Sequence, residues 1–144
     1  MAAPHPPITT IHATCVALDG VGVLLLGPSG AGKSDLALRL IDRGAQLVAD
    51  DRCELADIGG QLLCAPPDAL AGMIEVRGIG IVPRPWTAPV PVRLAVRLTE
   101  RTERMPDPAI EEIGGHVLPA VRINALEASA AIKVELALTR LSAP

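Results

Sequence analysis

Aromatic residues are almost absent from this sequence. Trp86 is the only one among 144 residues, and there is no Phe and no Tyr. Proteins that bind single-stranded nucleic acid usually stack bases on aromatic side chains, so the sequence disfavours that class. The net charge of −3 also lacks the basic excess that binds a phosphate backbone. We therefore expect no nucleic-acid partner, and a core built from Val, Ile, Leu and Ala.

Cysteines and long hydrophobic runs are also scarce. Cys15, Cys53 and Cys64 are odd in number and form no C-x-x-C pair, which argues against a disulfide framework and against a zinc site. The Pro-rich start, residues 1–7, has no basic segment followed by an apolar run, unlike a signal peptide. No apolar run approaches the length of a membrane span. These absences predict a cytoplasmic protein without a membrane segment.

The chain has the length and composition of one globular domain. Hydrophobic residues make up 49% and charged residues 20%, which excludes a disordered polar chain. Its length suffices for one core but not for two ordinary domains. We expect a flexible Pro-rich N-terminus over residues 1–8 and a single domain over residues 9–142.

Two apolar segments around Asp19-Gly20 predict a β-hairpin, because this dipeptide suits a two-residue type I′ turn. The numbers of opposed residues in such a hairpin sum to 39, so Cys15 faces Leu24. By the same rule His12 falls opposite Gly27, and we expect these two residues to be neighbours.

A helix is predicted over residues 33–43 from its apolar spacing, with Gly44 as its stop. A short strand over residues 46–49 follows. Strand, helix and strand in this order predict a βαβ unit, in which the two strands are parallel.

The rest of the chain predicts an α/β fold with a mixed β-sheet and a C-terminal helix. Asn124 and Glu127 have the spacing of a capping box for that helix. The other predicted elements are a hairpin over 54–58 and 61–65, a connection over 66–72, an apolar segment over 73–82, a Pro-rich loop over 83–91, a strand over 92–98, a surface loop over 100–108 and one or two short strands over 113–123.

A glycine loop lies between the first hairpin and the first helix, and it matches G-x-x-x-x-G-K-S/T. Glycines in this motif let backbone N–H groups point at phosphate oxygens, the lysine neutralises the β and γ phosphates, and the hydroxyl binds Mg²⁺. The motif therefore predicts binding of ATP and Mg²⁺. Its residues are Gly27, Pro28, Ser29, Gly30, Ala31, Gly32, Lys33 and Ser34.

Acidic residues follow at two places. Asp50-Asp51 ends the predicted strand 46–49, where a P-loop enzyme places its metal-holding or base residue, although such a pair can also serve a turn. Adjacent side chains on a strand point to opposite faces, so we expect only one of them to reach the γ-phosphate. Glu75 and Arg77 interrupt an apolar run and are either paired or metal-bound, or they lie on the solvated face of an edge strand.

These motifs together resemble the catalytic domain of the HPr kinase/phosphorylase family. That family combines a glycine loop, an Asp-Asp strand end and a signature of the form I-E-I/V-R-G-I/L-G-I, which here spans residues 74–81. The resemblance implies a P-loop nucleotide-binding domain of the HPr kinase/carboxykinase-like type, with residues 9–142 as a single kinase domain. It also implies the short form of the family, without its long N-terminal domain.

The resemblance implies roles for individual residues and a substrate. The substrate would be the phosphocarrier protein HPr, phosphorylated on serine with ATP and Mg²⁺. His12 and Lys33 would lie beside the phosphates, and Ser34 with Glu75 would hold Mg²⁺. The remaining implied roles are those of Asp51 as the base, Asp50 as its support and Arg104 as an aid to transfer.

The motifs and the resemblance leave three points open: dephosphorylation, the oligomeric state and the kind of function. Bifunctional members carry P-V-R-P-G-R where this chain has Pro119 to Asn124, which keeps Arg122 but lacks Pro-Gly-Arg, so we expect poor phosphorolytic dephosphorylation. The resemblance leaves a homo-oligomer open. Two other functions also fit the motifs, a nucleotide-sensing regulatory module without transfer and a small-molecule kinase related to the carboxykinases.

Overall fold

The computed structural model describes residues 7–142, which form the strands and helices of an α/β fold. Of the N-terminus predicted to be flexible, residues 1–6 lie outside the described part. The elements are β1 (Thr9–Ile11), β2 (Thr14–Leu18), β3 (Val21–Leu26), α1 (Lys33–Asp42), β4 (Gln46–Ala49), β5 (Cys53–Ile58), β6 (Gln61–Ala65), β7 (Met73–Val76), β8 (Gly80–Pro83), β9 (Val90–Leu98), β10 (Ala109–Ile113), β11 (His116–Ile123) and α2 (Ala130–Ser142).

The strands form a mixed sheet of nine strands and a separate hairpin of β7 and β8. The main path of the large sheet runs β1-β5-β6-β9-β3-β2-β4, and the β10–β11 hairpin joins it through β11, which pairs with β9. β9 is parallel to β3 and to β11 but antiparallel to β6. The predicted mixed sheet is therefore confirmed.

The first hairpin has the predicted register. Cys15 pairs with Leu24 and Leu18 with Val21. The strand predicted before the turn is interrupted at His12 and Ala13, so β1 leaves this hairpin and pairs with β5 instead. Because of this break, Ile11 at the end of β1 lies near Gly27 of the glycine loop, since both line one cavity.

The two strands of the predicted βαβ unit, β3 and β4, run in the same direction as expected, but they are not neighbours in the sheet. β2 lies between them and is antiparallel to both, so β3 and β4 run in the same direction with one strand inserted. β2 pairs along the edge of β3 as its hairpin partner, because the two strands are adjacent in sequence. It therefore occupies the edge of β3 with which β4 would pair if the two parallel strands were neighbours.

Two apolar clusters pack on opposite faces of the central strands. Alternating residues of β2, β3 and β9 contribute to each, as the pleat of a strand requires. One cluster includes Cys15, Leu24, Leu55, Cys64 and Ala95, and the other, against α1 and α2, includes Val16, Val23, Leu36, Val96 and Val134.

The C-terminal helix begins later than the sequence predicts. α2 starts at Ala130, and the Asn124 side chain does not cap it: Asn124 Oδ1 accepts from the N–H of Leu126 at 2.9 Å, and Glu127 pairs with Lys133. An asparagine favours such a local turn as strongly as a helix cap, so spacing alone did not distinguish them. Within residues 7–142, no helix is long and apolar enough to cross a membrane.

All three cysteines are free and fully buried. Burial raises the pKa of the Cys15 thiol, because a thiolate loses hydration there, and Cys64 beside it adds to the rise. We expect a thiol-reactive dye at pH 8 to leave the cysteines of the folded protein unlabelled and to label three per chain after unfolding in urea. Rapid labelling of folded protein would contradict this packing.

Candidate functional site

The glycine loop runs from the end of β3 at Leu26 to the start of α1 at Lys33. Gly30 and Gly32 have positive φ values of 83° and 96°, which L side chains rarely adopt. A Cβ at Gly32 would also lie 3.1 Å from the Cβ of Ala125. No side chain caps the helix at Gly32, so the first N–H groups of α1 are open to an anion, where the helix dipole favours negative charge.

Lys33 is folded into the loop and is 8% exposed. Its Nζ donates to the carbonyl oxygens of Gly27 at 2.7 Å and Pro28 at 3.0 Å. Lys33 therefore holds the loop in shape as well as supplying its positive charge.

Asp50 lies beneath the loop and connects three segments of chain. Its Oδ1 accepts from Ser34 Oγ at 2.6 Å and from Thr14 Oγ1 at 3.0 Å, and its Oδ2 accepts from the N–H of Glu75 at 2.8 Å. The side chain is buried at 6% exposure. A carboxylate with three donors is a rigid support for the loop, because each bond restrains a different element.

Asp51 is exposed beside this buried carboxylate. Its φ is 67°, and its N–H donates to Thr14 Oγ1 at 3.3 Å. As expected, only one of the two aspartates lines the space in front of the loop. The separation comes from the turn at Asp51 rather than from strand alternation, because β4 ends at Ala49. Asp50 binds Ser34 directly, while Asp51 faces the space in front of the loop.

That space is a cavity of about 240 Å³. Its walls come from the glycine loop, the start of α1, Asp51 and the β7–β8 hairpin. The lining residues are Ser29, Gly30, Gly32, Lys33, Ser34, Asp35, Leu38, Asp51, Glu75, Val76 and Arg77. Glu75 and Arg77 are exposed, while Ile74 of β7 is buried in the apolar cluster that includes Leu36 of α1. The structure thus brings together Lys33, Ser34, Asp51 and Glu75, with Asp50 directly behind them.

The donor set of this cavity suits Mg²⁺. Hydroxyl and carboxylate oxygens come from Ser34, Asp51 and Glu75, and oxygen ligands are those that Mg²⁺ prefers. Within residues 7–142, no group of three or more His, Cys, Asp or Glu side chains is arranged to enclose a metal. A site that offers few protein ligands fits Mg²⁺ held jointly by protein and phosphate oxygens.

His12 lies in a second cavity, of about 320 Å³, on the other side of Gly27. The predicted proximity of His12 to Gly27 is confirmed, since both line this cavity. Arg97 and Glu111 also line it and form an ion pair. Arg104 is exposed in the connection between β9 and β10 and lines neither cavity. Its contribution to transfer stays a prediction.

Two polar residues near the loop were not singled out from the sequence. Thr14 could have been identified from the sequence, because a threonine in the apolar strand β2 is a polar group that needs a hydrogen-bond partner when it is buried. Arg97 had no such signal, since arginines also occur at exposed strand positions, and its partner Glu111 belongs to a segment predicted only in part as strand.

Comparisons with known proteins agree on one family. Residues 6–84 match the HPr Serine kinase C-terminal domain. HPr kinase/phosphorylase of Clostridium beijerinckii is 49% identical over 76 residues, which cover 53% of this chain and 25% of that protein. The same-named protein of Brevibacillus brevis is 48% identical over 77 residues, covering 53% and 25%. The chain thus spans about a quarter of the length of these curated relatives.

A solved structure extends the similarity to most of the chain. The Hpr(Ser) kinase/phosphatase from Coxiella burnetii superposes with a TM-score of 0.81 at 30% identity. The match covers 93% of this chain and 92% of that one. It therefore includes the strands and the helix that follow residue 84.

Proposed function

The chain belongs to the HPr serine kinase C-terminal domain family, and from this membership we propose that it transfers the γ-phosphoryl group of ATP to a serine of HPr. The observation that carries the proposal is the different placement of the two aspartates. Asp50 is buried and bonded to Ser34, whereas Asp51 is exposed in the cavity. This placement suits a kinase, in which one carboxylate can support the metal-binding hydroxyl of the loop and another can accept the proton of the acceptor.

The residues of the cavity have different roles in phosphoryl transfer. The N–H groups of the loop and Lys33 bind the phosphates, and Ser34 with Glu75 would hold Mg²⁺. Mg²⁺ supplies positive charge that offsets the charge developing on the transferred group. Asp51 accepts the proton of the acceptor serine as the new bond forms. Catalysis rests on positioning and electrostatics rather than on a covalent intermediate.

The direct test is to incubate the protein with ATP, Mg²⁺ and HPr and to follow phosphate on HPr by mass spectrometry. Phosphoserine on HPr would support the proposal. Nucleotide binding without transfer would favour a sensing module, and turnover with a small hydroxylated acceptor in place of HPr would favour a carboxykinase-like small-molecule kinase.

Lys33→Ala is expected to remove most ATP affinity, because the loop loses both its cation and two internal hydrogen bonds. ATP with Mg²⁺ at about 100 times its dissociation constant stabilises a folded protein by about 2.7 kcal/mol. Thermal melts should show most of this gain lost in the variant. The chain has one other lysine, exposed on α2, so Lys133→Ala is a matched control that should keep the gain. Undiminished stabilisation of Lys33→Ala would contradict the assignment.

A further inference from the structure

Thr14 is a buried polar residue between the two aspartates, and it lines neither cavity. It is the first residue of β2, and its side chain is 0% exposed. The register of β2 and β4 pairs Cys15 with Ala49, which places Thr14 beside Asp50 just past the end of β4. The inserted strand β2 thus brings this hydroxyl to the point where the chain leaves β4.

The Thr14 hydroxyl makes two different hydrogen bonds. It donates to Asp50 Oδ1 at 3.0 Å and accepts from the N–H of Asp51 at 3.3 Å. A hydroxyl has one donor and two acceptor lone pairs, so a single side chain can make both bonds. The first bond restrains the carboxylate of one aspartate, and the second restrains the backbone of the other.

We propose that Thr14 is a positioning residue, which holds Asp50 against Ser34 and holds Asp51 in the turn that presents its carboxylate to the cavity. The inference rests on the proposed function of the same site. Asp51 has a positive φ of 67°, a conformation that non-glycine residues keep only when surrounding contacts fix it. The backbone bond from Arg52 N–H to the carbonyl of Asp50, at 2.8 Å, supports the same turn but reaches neither carboxylate.

Without the hydroxyl, both aspartates lose a restraint at once. Asp50 keeps Ser34 on Oδ1 and the N–H of Glu75 on Oδ2, so its carboxylate is restrained by two donors instead of three. The N–H of Asp51 loses its side-chain acceptor in a part-buried place. The turn at Asp51 should then open more often. The Ser34 hydroxyl, which Asp50 positions, should be less well aligned to hold Mg²⁺.

The test compares Thr14→Val, which keeps the shape, with Thr14→Ser, which keeps the hydroxyl. The first readout is hydrogen exchange of the Asp51 amide by NMR in protein without nucleotide and metal. We expect exchange about tenfold faster in Thr14→Val and within about twofold of wild type in Thr14→Ser, the upper scale of one hydrogen bond between neutral groups. This readout is independent of whether the protein transfers phosphate.

The second readout is the Mg²⁺ concentration at which ATP binding is half-maximal. It should rise about tenfold in Thr14→Val, and Thr14→Ser should restore it. If Thr14→Val does not fold, Thr14→Ala against Thr14→Ser gives the same comparison, since these two differ only by the hydroxyl. Equal Asp51 exchange and equal Mg²⁺ dependence in the hydroxyl and non-hydroxyl variants would overturn the proposal. Faster exchange that is uniform across the sheet, with unchanged Mg²⁺ dependence, would also overturn it by showing a purely structural role.

Discussion

Asp51→Asn is expected to lower the rate of phosphoryl transfer to HPr by about a hundredfold or more while leaving ATP binding in place. Asp51 is exposed at the cavity and can accept the serine proton, which an amide cannot do. Its side chain makes no contact that holds the loop, so the phosphate-binding backbone should persist. The measurements are the initial rate of HPr phosphorylation and the thermal stabilisation by ATP with Mg²⁺.

Asp50→Asn gives the contrast that makes this prediction specific. The buried Asp50 accepts three hydrogen bonds, and an amide offers one oxygen while its NH₂ group faces a donor. We expect a loss of about 1–3 kcal/mol in stability together with weaker ATP binding. Asp68→Asn, at an exposed site away from both cavities, serves as a control.

The two aspartates are therefore separable by experiment. Asp51→Asn should bind nucleotide without transferring phosphate, whereas Asp50→Asn should be impaired in both. Transfer by Asp51→Asn at the wild-type rate would show that another group takes the proton. Identical binding and transfer defects in the two variants would refute the division of roles.

The direction of transfer is expected to be strongly biased towards phosphorylation. In the reverse reaction, inorganic phosphate attacks a phosphoserine, and the repulsion between the two anions must be offset by fixed cations. Within the described residues, Lys33 and Arg77 are the only lysine or arginine side chains that line the cavity, beside the carboxylates of Asp35, Asp51 and Glu75. A missing bidentate arginine contact corresponds to a rate about ten to a hundred times lower.

Arg122 and Arg97 do not line this cavity. Arg122 is exposed on β11, with its Cα in register with that of Arg97 on β9, and the guanidinium of Arg97 is already paired with Glu111. We therefore expect phosphorolysis to be the slower reaction, because few fixed cations line the cavity where two anions would meet.

The measurement is pyrophosphate release from phosphorylated HPr with millimolar phosphate and no ATP. Arg77→Ala should lower the residual rate further. Arg93→Ala, at an exposed position of β9 outside both cavities, should not change it. Pyrophosphate release as fast as the forward reaction would contradict the prediction and support a bifunctional enzyme.

Local patterns predicted much of this structure. The Asp19-Gly20 turn determined the register of the first hairpin, and glycine spacing located the phosphate-binding loop between a strand and a helix. These features depend on residues close in sequence, where turn geometry and periodicity act directly. The same rule predicted that His12 lies near Gly27, and both line one cavity, although the paired ladder ends at Thr14 and Leu25.

Features that depend on distant segments were not predictable in this way. The insertion of β2 between β3 and β4 depends on which strand edges meet, and no local pattern encodes that choice. The role of Asp50 depends on Ser34, Thr14 and Glu75, which belong to three different segments. The separation of Asp50 from Asp51 was expected from strand alternation, but its cause is the turn after the end of β4, where Thr14 binds both residues.

The central position of β9 has a consequence for the order of events during synthesis. The family match ends at residue 84, and it contains the glycine loop and both aspartates, whereas β9 begins only at Val90. On the ribosome, the chain therefore completes its phosphate-binding segment while β3 has β2 as a partner but its other edge is still open. Pairing across such a sequence separation is slow, and an open apolar edge exposes a growing chain to misassembly. The segment that contains the glycine loop and both aspartates thus depends, for the completion of its sheet, on a strand that is translated after it.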